Sequence, residues 1–214
     1  MFFKQFNHNG YLSYVTVCDT ELVGAIIDPV HQAEPYLDFI QATGFKILYV
    51  VETHSHADRP SVAAVVAKAL GAKRVVFNKA KEQEAFTGRP MGHVDILMEE
   101  GQRLQMGGVF LEAIYTPGYT KDSICLLSNG RIYTGGTLLI GKCGRTDLPG
   151  GSSEEMYHSL FGKLLSLSND LIIYPGYDDK GNINSSMGYE RVNNIALNKS
   201  RTLAEFDDFV KSLY

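Results

Sequence analysis

The chain has 214 residues, 44% hydrophobic and 21% charged, a balance that suits a single soluble domain over 1–214 with a sizeable core. Its formal charge of −4 gives no electrostatic reason to expect nucleic acid or a membrane surface as a partner. The three cysteines, Cys18, Cys125 and Cys143, form no CxxC pair, which argues against a zinc knuckle or a thioredoxin-type motif.

An odd, small number of cysteines fits a reducing compartment. The opening "MFFKQFNHNG" is too polar for a signal peptide's apolar region. No run approaches the roughly 20 apolar residues of a membrane span. These features predict a cytoplasmic protein.

In chain order, "ELVGAIID" is an apolar run of strand length that ends at Pro29. "AEPYLDFIQATG" is amphipathic and predicts a helix stopped by Gly44. "FKILYVVE" is nearly continuous in apolar residues, as a buried strand is, and it delivers "THSHADR" at its C-terminal end. "PSVAAVVAKALGA" predicts a helix with proline in its first turn and Gly71 at its stop. "KRVVFNK" is a short strand.

"GQRLQMGGVFLEAIYTP" predicts a hairpin turning at Gly107-Gly108. In "SICLLSNGRIYTGG", Asn129-Gly130 is the strongest short hairpin signal available. "SSEEMYHSLFGKLLSL" reads as one serine-capped helix, "LIIYPG" as a buried strand and "TLAEFDDFVKSL" as an amphipathic helix. This order fits neither a regular βα alternation nor an all-β pattern. Helices covering two packed mixed sheets solve it.

One loop stands out. His54, His56 and Asp58 follow a buried strand at spacings of two, where a tight loop can bring side chains onto one ion. Two imidazoles and a carboxylate suit zinc or non-haem iron. The alternative is a pair of surface histidines beside an aspartate that caps the following helix.

"THSHADR" after a strand resembles the THxHxDH motif of the metallo-β-lactamase superfamily. "YTPGYT", "YTGGTLLIGKCGRTD" and "IIYPGYDDKG" resemble, in the same order, the later segments that carry the remaining ligands in that family. The CGRTD and YPG-D-KG elements are similar to the persulfide dioxygenase branch, the relatives of glyoxalase II. The resemblance implies an α/β fold, an αββα four-layer sandwich of metallo-β-lactamase type with the metal groove at one edge. It further implies either one ferrous iron held by two histidines and an aspartate for oxidation of glutathione persulfide, or a two-metal site for thioester hydrolysis.

Position by position, the motif's first three groups fall on His54, His56 and Asp58. Its next histidine falls on Arg59, the TPGH histidine on Tyr119, the TGD aspartate on Gly136 and the YPGH histidine on Tyr177. Of the three mononuclear-iron ligands only His54 is kept. Glycine offers no ligand side chain, and arginine stays protonated with no lone pair to give. Tyrosine can ligate iron as a phenolate, so an altered site of His54, His56 and Tyr119 holding Fe(II) or zinc is the alternative. Otherwise no metal is expected. Arg59 would then neutralise Asp58 and close the vacated pocket, with Tyr119 and Tyr177 filling histidine volume.

By the same resemblance Arg145, Asp147, Cys143 and Lys180 are candidates for a thiol-ligand groove. Each has a plain structural alternative: a braced loop for Arg145 and Asp147, a packed thiol for Cys143, a solvated amine for Lys180. His8, His31, His93 and His158 read as structural or exposed.

Three functions follow. The first is a non-catalytic member binding a low-molecular-weight thiol, a persulfide or a protein partner. The second is an active enzyme with a rebuilt mononuclear site, a persulfide dioxygenase or metallo-hydrolase. The third is a regulatory or interaction subunit whose groove is incidental. The resemblance also implies a homodimer.

Overall fold

The computed structural model describes residues 1–55 and 61–214. A first sheet runs β1 (Phe2–His8), β2 (Tyr11–Val17), β3 (Val23–Ile27), β4 (Lys46–Val51), β5 (Lys73–Phe77) and β6 (Ile96–Met98), in that spatial order. β1, β2 and β3 pair antiparallel, and β3 to β6 pair parallel. The second sheet starts with β7 (Arg103–Met106), β8 (Val109–Tyr115), β9 (Ile124–Ser128) and β10 (Arg131–Gly135) as an antiparallel meander. After a small hairpin of β11 (Leu138–Leu139) and β12 (Lys142–Cys143), strand β13 (Ile172–Pro175) joins β10 in parallel and β14 (Ser185–Ser186) closes the edge.

Helices α1 (Glu34–Thr43) and α2 (Ala63–Leu70) cover the outer face of the first sheet, burying Tyr36, Ile40, Val66 and Ala67 against Val15, Ile26 and Val50. A short α3 (Ala80–Thr87) follows β5. Helices α4 (Ser153–Tyr157), α5 (Met187–Asn193) and α6 (Leu203–Leu213) cover the second sheet, with Met156, Met187, Phe206 and Val210 packed on Ile132 and Ile173. Between the sheets lies a third apolar cluster, including Tyr14, Ile27, Val51, Leu111, Leu126 and Tyr133. The expected four-layer αββα sandwich is therefore the observed one. No described helix is long and apolar enough to cross a membrane.

Both hairpins turn where the sequence places them. Met106 pairs with Val109 and Ser128 with Arg131, leaving two-residue loops. Asn129 and Gly130 both take positive φ, 42° and 79°, as a turn matching the strand twist requires. Gly44 and Gly71 end α1 and α2 in the left-handed conformation. Thr202 and Glu205 form a reciprocal capping box on α6.

Two expectations need correction, and one helix comes in addition to those expected. α2 begins at Ala63, after Ser61 accepts from the Ala63 amide, and Pro60, expected in its first turn, lies outside the described residues. The single helix expected over 152–167 is α4, then a widened π-helical segment His158–Lys163, then a 3-10 turn Leu164–Ser166. Gly162 lies in the widened part, where helical propensity is weakest. α3 has no counterpart among the expected elements.

Candidate functional site

The segments singled out in the sequence converge at one rim of the sandwich. β4 delivers His54, the β8–β9 loop delivers Tyr119, β10 ends at Gly135 and leads to Gly136, and β13 leads to Tyr177. The Ile124 amide donates to the Thr53 carbonyl at 2.8 Å, so the two sheets are joined at this rim. His54, Tyr119, Gly136 and Tyr177 line one pocket of about 190 Å³.

His54 is 3% exposed, and its orientation is set from behind. The Asp28 carboxylate accepts from the Thr53 amide at 2.7 Å and from the Thr53 hydroxyl at 2.6 Å. The Thr53 oxygen lies 2.8 Å from His54 Nδ1. Because the single hydroxyl proton points to Asp28, Nδ1 must be the donor to Thr53. That assignment leaves Nε2 as the ring's acceptor nitrogen. This is the outer support that metal-ligating histidines commonly have. Asp28 holds a positive φ of 51°, and Gly135 holds 49°. A side chain at 135 would put a β-carbon 2.9 Å from Thr53 Cβ, so the glycine is needed for the close approach of β10 to this relay.

The Tyr119 ring stands edge-on to the His54 ring, with centroids 5.0 Å apart and planes at 89°. It lies between two glycines. A β-carbon at 136 would be 2.6 Å from its Cγ, and one at 144 would be 2.8 Å from its Cδ2. The ring therefore occupies space that a side chain at 136 would take. Tyr177 packs beside Gly10 and edge-on to Tyr11, with centroids 5.3 Å apart. Both tyrosine rings thus pack at the rim of the pocket.

His56, Asp58 and Arg59 lie outside the described residues, so the proposed Arg59–Asp58 contact does too. Around the described part of the pocket the donor set is one imidazole and phenols. Among the described residues no cluster of three or more histidines, cysteines, aspartates or glutamates could hold a metal ion.

The groove candidates separate. Arg145 lines the pocket and forms a two-pronged ion pair with Asp147, Nε to Oδ1 at 2.6 Å and Nη2 to Oδ2 at 2.7 Å. The Arg145 hydrogen bonds hold the Asp147 carboxyl below its usual range. Cys143 is fully buried in the helix-side core, and burial pushes its thiol up to about 12. It is not among the residues that line the pocket, and a thiol so raised is a poor nucleophile. Lys180 is exposed and does not line the pocket; its amide donates to Asp178 at 3.0 Å. His31, His93 and His158 are exposed, and His8 is half-buried.

Several site residues carried no motif signal. Tyr214 lines the same pocket, as do Leu139 and Lys142, which fall inside the YTGGTLLIGKCGRTD segment at positions not singled out there. Two buried carboxylates flank the motif loop. Asp122 accepts from the Ser55 amide at 2.9 Å, from the Ser55 hydroxyl and from Thr120 Oγ1 at 2.8 Å. Glu52 pairs with Arg74 at 2.7 Å. Burial raises both carboxyls above their ordinary values, against the opposing pull of these donors.

Residues 10–177 match the profile of the metallo-beta-lactamase superfamily. The chain belongs to the metallo-beta-lactamase superfamily. Among relatives in this superfamily, human mitochondrial persulfide dioxygenase ETHE1 is 32% identical over 189 residues, covering 87% of this chain and 69% of that one. Hydroxyacylglutathione hydrolase GloC of Haemophilus influenzae is 28% identical over 198 residues, covering 85% and 91%. In three dimensions ETHE1 from Myxococcus xanthus superposes with a TM-score of 0.88 at 25% identity, covering 100% of this chain and 91% of that one. A metallo-beta-lactamase from Staphylococcus aureus gives 0.87 at 26%, covering 99% and 66%.

Proposed function

We propose that this metallo-β-lactamase-fold chain is a non-catalytic member that binds a low-molecular-weight thiol or persulfide in the remodelled pocket. The observation that carries the reading is the Tyr119 ring set between Gly136 and Gly144. An aspartate at 136 cannot coexist with it, and that aspartate is the carboxylate the family resemblance requires of a metal site. The phenol of tyrosine, with an ordinary pKa near 10, is a poor substitute at neutral pH. Elemental analysis of protein purified without added metal tests this directly. A chain without stoichiometric metal that binds a thiol saturably is the expected result. One iron or zinc per chain overturns it.

A second reading is favoured by a different observation. The Asp28–Thr53–His54 relay still presents Nε2 as an acceptor, the form a metal takes. On that reading a mononuclear site of His54, His56 and Tyr119 retains persulfide oxidation or thioester hydrolysis. Oxygen consumption with glutathione persulfide, beside release of thiol from a glutathione thioester, separates the two. Either activity above the rate of a His54→Ala variant supports the second reading and removes the first.

A further inference from the structure

The pocket's size, walls and charge together define a ligand. Its volume is about 190 Å³. Apolar cavities of about 150 Å³ accept a benzene ring, whereas sites that enclose drug-sized molecules run from about 300 Å³ upward. The enclosed part therefore holds one ring and a small substituent, and a peptide would extend beyond it. The walls suit a ring. Tyr11, Tyr119, Tyr177 and Tyr214 contribute aromatic faces and edges, and Leu139 adds an apolar surface that is 6% exposed.

Charge at the rim is asymmetric. Arg145 and Lys142 both lie over the Tyr214 ring, 5.6 and 5.5 Å from its centroid. The guanidinium of Arg145 is already matched by the two-pronged Asp147 contact. Lys142 Nζ meets the π face and no carboxylate among the described residues. Among the described residues one cation is thus left without a carboxylate beside an aromatic slot. Its stem is held in place, since the Lys142 carbonyl accepts from Asn194 Nδ2 at 3.1 Å and β12 pairs with β11.

We propose that the pocket takes a single-ring aromatic monoanion, with its ring against the tyrosine walls and its charged group on Lys142. The inference rests on the small-molecule reading of the same pocket and fixes the class of the molecule. The anionic head is a carboxylate or an aryl thiolate or persulfide, since both present one negative charge next to a ring.

The test is titration of the full chain, under reductant, with benzoate, thiophenolate, the neutral benzamide and glutathione, followed by calorimetry or ligand-observed NMR. Saturable binding of benzoate or thiophenolate is expected, with benzamide about tenfold weaker or more. Lys142→Met should weaken the anions by a similar factor and leave benzamide unchanged. Lys142→Gln serves in its place if the methionine variant fails to melt as the parent does. Benzamide binding as tightly as the anions, or anion binding indifferent to position 142, overturns the proposal. Glutathione binding without any aryl anion overturns it while leaving the thiol reading intact. Benzoate binding with no thiol bound supports it and removes the thiol reading. Binding of neither class removes both.

Discussion

Tyr119 and Gly136 form a sterically exclusive pair: a β-carbon on residue 136 would lie 2.6 Å from Cγ of the tyrosine ring. Real contacts of that kind do not occur, so one of the two must change before the other gains a side chain. Gly136→Asp alone is expected to destabilise the fold by about 3 kcal/mol, the upper range for overpacking a filled site. In a Tyr119→Ala background, which removes the ring altogether, the same change should cost well under half as much. Urea unfolding of the four proteins measures the coupling. Additive costs would show that the ring moves aside freely.

Thr53 is the only described group between the Asp28 carboxylate and His54 Nδ1. Thr53→Val keeps its shape and removes the hydroxyl, taking one hydrogen bond from the Asp28 carboxylate and one from His54 Nδ1. A loss of about 2–3 kcal/mol is expected, with Thr53→Ser close to the parent. Imidazole nitrogen shifts of His54 should show the Nδ1–H tautomer in the parent and a mixture in the valine variant. An unchanged tautomer in Thr53→Val would mean that the relay does not set the ring.

The buried thiols give a pH signature. Burial pushes Cys125 and Cys143 from 9.0 to about 12. In the unfolded chain they ionise near their ordinary value, so between those values the unfolded state holds fewer protons and stability falls as pH rises. The protection is complete below about pH 9 and is lost toward pH 12. Denaturation midpoints across that range should decline, and Cys143→Ala should flatten the decline. Native protein at pH 8 should leave Cys143 unalkylated, and rapid labelling there would contradict its burial.

Restoring Arg59→His, Tyr119→His, Gly136→Asp and Tyr177→His together should regain about one or two equivalents of iron or zinc, read by elemental analysis. A folded quadruple variant that binds no metal would mean that these four positions are not where the family resemblance puts them.

Local signals in the sequence carried most of the fold. Asn129-Gly130 sets its hairpin through two positive φ angles that few other residue pairs adopt, and Gly44 and Gly71 stop their helices for the same backbone reason. α3 escaped notice because "AKEQEAFT" is polar almost all round, and Gln83 anchors it by hydrogen bonds to Pro149 and Lys121, 66 and 38 residues away. The pocket's location was legible because four motif segments end at strand termini. Its contents were less so. The exclusion between Tyr119 and Gly136 links residues whose neighbourhood exists only after folding. The side of the sheet toward which Cys143 points depends on the two-residue strand β12, too short to show alternation. Tyr214 belongs to no motif, and Lys142, inside one, meets it only across the finished rim.

The Ile124–Thr53 bond has a consequence for how the molecule opens. It ties the residue just before His54 to the first residue of β9, and through them one sheet to the other. The rim at His54 therefore has no separate melting step of its own. Fraying there requires the two halves of the sandwich to part, which exposes the inter-sheet core around Val51 and Leu126. The amide proton of Ile124 should accordingly exchange at the slow, global rate, so that one backbone signal reports the survival of the pocket and of the whole fold together.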